Sequence, residues 1–242
     1  MAKSGGPSKD GIAGRSSTRQ TAIRVKTAKR RTPASTQWLA RQLNDPYVGE
    51  AKRLGYRSRA AFKLLQLDDR FHLLRPGRRV VDLGCAPGGW TQVAVERVKP
   101  GDGRSGQGRI VGIDILAMDP VPGATIVELD FLDRTAPERL KALLAGPADV
   151  VLSDMAAPTT GHASTDHIRI VALAEAAFDF ARAALVPGGI FLCKVFQGGA
   201  EGDLLAALKR DFTTVRHAKP PASRAESAEV YVVAMGFRGR SS

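Results

Sequence analysis

The sequence predicts an α/β domain, doubly wound, with a mostly parallel sheet buried between two layers of helices. Two observations predict it. Short runs rich in Val, Ile and Leu alternate with Ala- and Leu-rich stretches of helical period; strands apolar almost without interruption are those covered on both faces. The first such run, RVVDL, leads directly into a glycine-rich turn, GCAPGGW, and then into a helical stretch, which places a ligand crevice at the carboxyl end of that strand.

In chain order, helical spacing appears first at 36–43 and at 58–72, where Phe62, Leu64, Leu65 and Leu67 supply the apolar stripe. Strands are expected at 79–83, 109–113, 124–129, 149–153, 189–196, 212–216 and 229–237. Helices are expected between them at 89–98, 136–144, 166–185 and 201–209. The segment 99–108 carries four glycines and mixed charge, the composition of an exposed loop insertion.

Composition narrows the function classes. A chain of 242 residues, 43% hydrophobic and 25% charged, suits one globular domain with an appended tail. We expect a basic arm over residues 1–35 and the folded domain over 36–242. Cys85 and Cys193 stand far apart with no CxxC and no Cys/His cluster, so neither disulfides nor a metal is expected, and a reduced, cytoplasmic protein is. The absence of a long apolar run and of an apolar leader core argues against a membrane span or secretory signal.

The net charge of +12 is concentrated at one end, where residues 1–35 hold nine Lys and Arg against Asp10 alone. Such a segment buries too little to fold alone. It reads as an arm that follows nucleic-acid phosphates, against a merely solubilising tail or an Arg- and Ser-rich transit peptide.

The stretch DLGCAPGGW, 82–90, is the first chemical signal. Gly84 is followed by Gly88 and Gly89, which breaks the G-x-G-x-x-G of dinucleotide sites and counts against a dehydrogenase. A structural tight turn would explain the glycines alone. Three acids change the weighing: Asp114 ends IVGID, Asp130 ends IVELD and Asp154 ends VVLSD. Singly each would be read as a helix cap or turn former. Together they line the crevice outside the strand ends. An acid after the second strand suits two ribose hydroxyls, and one after the third suits an adenine amino group. Carboxylates also tolerate a cation, so the ligand described is adenosine-like with a positive sulfonium, S-adenosyl-L-methionine.

Lys194 is the second signal. It interrupts the apolar run GIFLCKVFQGG near its carboxyl end, where a lysine is costly unless paired or facing a cleft. Glu229 opens EVYVVAMGF, and it reaches the same crevice if that strand runs antiparallel, as an edge strand of a mixed sheet can. Lys63, within RSRAAFKLLQL, reads on its own as a flanking charge. RNA contacts are expected from the arm and from Lys52, Arg53, Arg57, Arg59 and Arg224. With aromatics at 6% of the chain, phosphate and shape recognition is favoured over base stacking.

RSRAAFKL, DLGCAPGGW, the acids ending GID and LSD, KVFQG and SRAESAEVYVVA, in this order, resemble the FtsJ/RrmJ family of ribosomal RNA 2'-O-ribose methyltransferases over about residues 35–237. The resemblance implies a Rossmann-like, seven-stranded sheet with an antiparallel last strand. It implies a tetrad around the reacting ribose at Lys63, Asp154, Lys194 and Glu229, and cofactor contacts at Gly88, Trp90, Asp114, Asp130 and Asp154. It further implies methylation of a uridine 2'-OH in the 23S rRNA of the large (50S) ribosomal subunit, by a protein we expect to be a monomer. The long arm, the 99–108 loop and a stretch after Asp154 one residue longer than the family pattern are departures. Methylation of another RNA, a tRNA or an mRNA cap, and a non-catalytic ribosome-assembly factor are the competing readings; an intact tetrad disfavours the latter.

Overall fold

The computed structural model describes residues 23–24, 26–27, 30–101, 108–157, 160–197 and 202–239. Most of the arm, residues 102–107 of the predicted loop, and Gly198 and Gly199 lie outside them. The chain divides into two units, Met1–Asp45 and Pro46–Ser242. The first contains α1 (Pro33–Asn44), begun by Pro33 and capped by Thr32, whose hydroxyl accepts the Ser35 N–H.

The second unit runs α2 (Pro46–Leu54), α3 (Ala60–Phe71), β1 (Arg79–Leu83), α4 (Gly89–Val98), β2 (Arg109–Asp114), β3 (Thr125–Glu128), α5 (Ala136–Leu144), β4 (Ala148–Ser153), α6 (Ala163–Ala184), β5 (Leu185–Phe196), α7 (Gly202–Asp211), β6 (Phe212–Ala218) and β7 (Glu229–Phe237). Every predicted strand and helix is present. Helix α2 was not predicted, because only Ala51 of its residues is buried and Gly49 interrupts its stripe.

The strands form one sheet in the order β3-β2-β1-β4-β5-β7-β6. Pairs among β1 to β5 are parallel, and β7 is antiparallel to both its neighbours. The antiparallel direction expected of the last strand is found, but its expected edge position is not. β7 is inserted between β5 and β6, as its nearly continuous buried run from Val230 to Ala234 requires.

Alternation along the strands divides the core into two faces. Val81, Val111, Val151, Phe191 and Val232 lie under α5, α6 and α7, with Leu140, Phe178 and Leu208 packed on them. Val80, Ile110, Val150, Leu192 and Tyr231 lie under α3 and α4, with Leu64, Leu67, Trp90 and Val93. Lys194 and Glu229 follow the second set by even steps along their strands, so the polar site grows out of the face covered by α3 and α4.

Candidate active site

Strand register sets the site. Ile113 pairs Leu83, Leu83 pairs Ser153, and Ser153 pairs Cys193. One step further toward the carboxyl ends lie Asp114, Gly84, Asp154 and Lys194, and Lys194 in turn pairs Tyr231 of β7. Residues from 84 to 231 in the sequence are thereby brought to one row across five strands. Asp130 lies two residues past Glu128, the β3 partner of Asp114.

Within this row Lys194 and Asp154 are joined twice. The Lys194 ammonium donates to the Asp154 carbonyl at 2.6 Å and lies 3.1 Å from its Oδ1. Lys63, on the first turn of α3, pairs with Glu229 Oε1 at 2.6 Å. Both lysines are more than nine-tenths buried or nearly so, at 8% and 9% exposure, which corrects the reading of Lys63 as a flanking charge. The two ion pairs are bridged by Tyr231, which the sequence analysis did not single out. Its hydroxyl is 2.9 Å from Asp154 Oδ1 and 3.2 Å from Glu229 Oε1, and Ser223 Oγ donates to the same Glu229 oxygen at 3.0 Å. Burial and the two carboxylates push the Tyr231 hydroxyl well above its ordinary pKa, so it serves as a donor. The signal for it was its position two residues after Glu229, on the same face of the strand.

The turn between β1 and α4 is shaped by its glycines. Gly84 and Gly88 have φ of +78° and +110°, conformations that favour glycine. A Cβ on Gly84 would approach the Met155 backbone at 2.9 Å, so the turn also needs the missing side chain for close packing. Asp114 accepts the Ala86 N–H on one carboxylate oxygen and the Leu116 N–H on the other, both at 2.9 Å. Asp130 likewise holds the Leu132 N–H at 2.9 Å. These local bonds orient both acids at the crevice. Trp90 is buried, with its indole N–H donated to the Ala60 carbonyl and its ring 5.7 Å from that of Tyr231. With its ring packed in the core, it is the Trp90 backbone, in the first turn of α4, that adjoins the glycine turn.

Burial pushes the Cys85 thiol strongly up, which makes it a packing group rather than a nucleophile. Asp82 of β1, on the face covered by α3 and α4, is fully buried; Thr91 donates to one oxygen at 2.7 Å, and the other has no partner among the described residues. Two of the expected RNA contacts also make hydrogen bonds within the fold. Arg57 donates to the carbonyls of Pro87, Asp119 and Pro120, and Arg59 donates to the Ala222 carbonyl and lies over the Tyr47 ring. Lys52 and Arg53 are exposed on α2, where Arg53 pairs with Glu50.

A doubly wound sheet with an inserted antiparallel strand, acids at three strand ends and a paired lysine among them define a methyltransferase. The FtsJ-like methyltransferase model matches residues 56–237. Ribosomal RNA large subunit methyltransferase E of Paramagnetospirillum magneticum is 68% identical, over 92% of this chain and 91% of its own. The protein of that name from Parvibaculum lavamentivorans is 62% identical, over 99% and 95%. A crystal structure from Plasmodium falciparum, described as a ribosomal RNA methyltransferase, superposes with a TM-score of 0.67 at 31% identity, over 76% of this chain and all of its own. The chain belongs to the FtsJ-like methyltransferase family. No helix among the described residues is long and apolar enough to cross a membrane.

Proposed function

We infer that the protein transfers a methyl group from S-adenosyl-L-methionine to the ribose 2'-OH of a uridine in the 23S rRNA of the large ribosomal subunit. The observation that carries the chemistry is the buried Lys194, held by Asp154 through two oxygens at the row of strand ends. The substrate follows from the relatives, whose name specifies the RNA of the large subunit; a tRNA or cap substrate has no such support.

The donor set fits a cationic adenosyl cofactor. Asp114, Asp130 and Asp154 place three carboxylates around the ends of β2, β3 and β4, a poor setting for a pyrophosphate and a good one for a sulfonium with ribose and adenine groups. Asp114 and Asp130 would hold the ribose and adenine, and Gly88, the Trp90 backbone and Asp154 the remainder. When bound, S-adenosyl-L-methionine supplies an electrophilic methyl that needs no further activation.

The protein then has to align the 2'-oxygen and stabilise the charge that grows as its proton leaves. Alignment of two reactants supplies about 7–11 kcal/mol. An ammonium has three N–H donors; among the described residues the Asp154 carbonyl accepts one from Lys194 while the Asp154 carboxylate pairs with its charge, and another is assigned to the 2'-oxygen. Lys194 thus acts as a fixed charge-stabilising donor. Asp154 holds it in place, and Lys63 and Glu229, locked together and tied to Asp154 through Tyr231, position the ribose.

The deciding experiment incubates large subunits from cells lacking the enzyme with purified protein and methyl-labelled cofactor, then maps the label. A single 2'-O-methyl uridine in 23S rRNA is expected; label confined to tRNA, or none at all, would remove the substrate assignment or leave a binding factor.

RNA affinity is assigned to the basic arm, 1–35, together with Lys52 and Arg53 of the domain, 36–242, acting as a cytoplasmic monomer. Deleting residues 1–31, which spares the Thr32 cap, should weaken rRNA binding and flatten its salt dependence by several phosphate contacts. An unchanged slope of log Kd against log salt would take the arm out of recognition.

A further inference from the structure

Arg57 sits where three segments of the cofactor site meet. Its guanidinium donates to the Pro87 carbonyl of the glycine turn at 3.3 Å and, across the crevice, to the Asp119 and Pro120 carbonyls of the connection after β2, the latter at 2.7 Å. It also covers Gly88: a Cβ at that position would meet Arg57 Nη1 at 3.0 Å and Met118 Cε at 2.8 Å. Through its own backbone Arg57 belongs to the entry of α3, whose first turn carries Lys63.

That entry is joined to α4 at several points. Gln92 accepts the Arg57 N–H at 2.8 Å and donates to the Gly55 carbonyl at 2.9 Å, while Trp90 donates to the Ala60 carbonyl at 2.9 Å. Gly89 packs against Ser58 so closely that a Cβ there would collide with its hydroxyl. Those contacts fix α3 to α4 alone. Arg57 adds the connection after β2, so any adjustment of the Asp114 or Gly88 loops on a ligand is transmitted to α3.

We propose that Arg57 is a positioning residue, a clasp between the two cofactor loops and the start of α3, through which an occupied cofactor site sets the position of Lys63. The proposal rests on the reading that these loops hold S-adenosyl-L-methionine. Its chemistry needs a fork: a planar guanidinium reaches three carbonyls in two segments, whereas an ammonium offers the charge from a single point. A phosphate contact would need only the charge.

The test compares full-length wild type, Arg57→Ala and Arg57→Lys, each first checked by its melting temperature. Cofactor affinity is measured by calorimetry with S-adenosylhomocysteine and S-adenosyl-L-methionine, turnover on large subunits at saturating cofactor, rRNA affinity across a salt series, and hydrogen exchange over residues 57–65 with and without S-adenosylhomocysteine. In the wild type the ligand should slow exchange across 57–65. Both variants should lose that linkage, bind cofactor on the order of tenfold more weakly, within the usual range for coupled sites, and turn over more slowly even at saturation, with rRNA affinity unchanged. Should the alanine variant fail to fold, the lysine variant reads out the same linkage.

Wild-type behaviour of Arg57→Lys in cofactor affinity and exchange would overturn the clasp, since charge alone would suffice. So would a weaker and less salt-dependent rRNA affinity in Arg57→Ala with cofactor binding intact, which is the signature of a phosphate contact. If the wild type itself bound neither cofactor form, the cofactor reading would fall and the clasp with it, a result seen in the wild-type titration before any variant is compared.

Discussion

Lys194→Ala is expected to reduce methyl transfer to large subunits by on the order of a hundred- to a thousandfold, the usual cost of losing one preorganised donor at a developing oxyanion. Cofactor affinity should change little, because the cofactor-side groups, Asp114, Asp130 and the glycine turn, hold their orientation through their own local bonds. The variant removes a buried cation and leaves the Asp154 carboxylate with Tyr231 as its side-chain partner among the described residues, so part of any loss in melting temperature reports that uncompensated charge rather than catalysis. Turnover at saturating cofactor and subunit is therefore the measurement that separates the two. Near-normal turnover with cofactor bound would move the charge-stabilising role away from Lys194, leaving the Lys63–Glu229 pair as the site's other cation.

The fold was legible because strand and helix signals were strong and their order simple: RVVDL, IVGID and VVLSD each carry an apolar run and end at an acid or a glycine turn. Edge and interior positions were harder to read. The sequence of β7 suits either direction; its pairing of Tyr231 with Lys194 and Glu229 with Phe196 of β5 gives the direction, and its further pairing with β6 places it inside the sheet. The acids and Lys194 could be found from their places along apolar runs. Lys63 could not, because one lysine on an amphipathic helix has many uses, and its burial depends on Glu229, 166 residues away in the sequence. Tyr231 was hidden for the opposite reason: an aromatic residue inside an apolar strand looks like core, and its ring is core while its hydroxyl ties the two ion pairs together. The carbonyl partners of Arg57 and Arg59 were equally hidden, because sequence does not reveal which backbone groups a guanidinium will meet.

Asp82 should make stability fall as pH rises through a range where most carboxylates are already ionised. It is buried in the centre of the sheet, between β2 and β4, under α4. Desolvation, with the nearby charges of Asp154 and Asp114 adding to it and the Thr91 hydrogen bond opposing it, raises its pKa to about 7. An unfolded chain would release this proton near pH 4. Between pH 4 and pH 7 the folded state therefore binds the extra proton, and stability declines with each step up in pH; below and above that window the contribution is flat. A shift of about three units corresponds to about 4 kcal/mol at most, at ~1.4 kcal/mol per unit. In Asp82→Asn nothing titrates at this position, so its melting temperature relative to wild type should rise from pH 5 to pH 8, by up to about 10 °C at ~2–4 °C per kcal/mol for a domain of this size. Groups not coupled to Asp82 titrate alike in both proteins and cancel in the difference. A gap that stays constant across that range would mean that Asp82 is already ionised in the folded protein, with its second oxygen satisfied by solvent that reaches beneath the glycine turn.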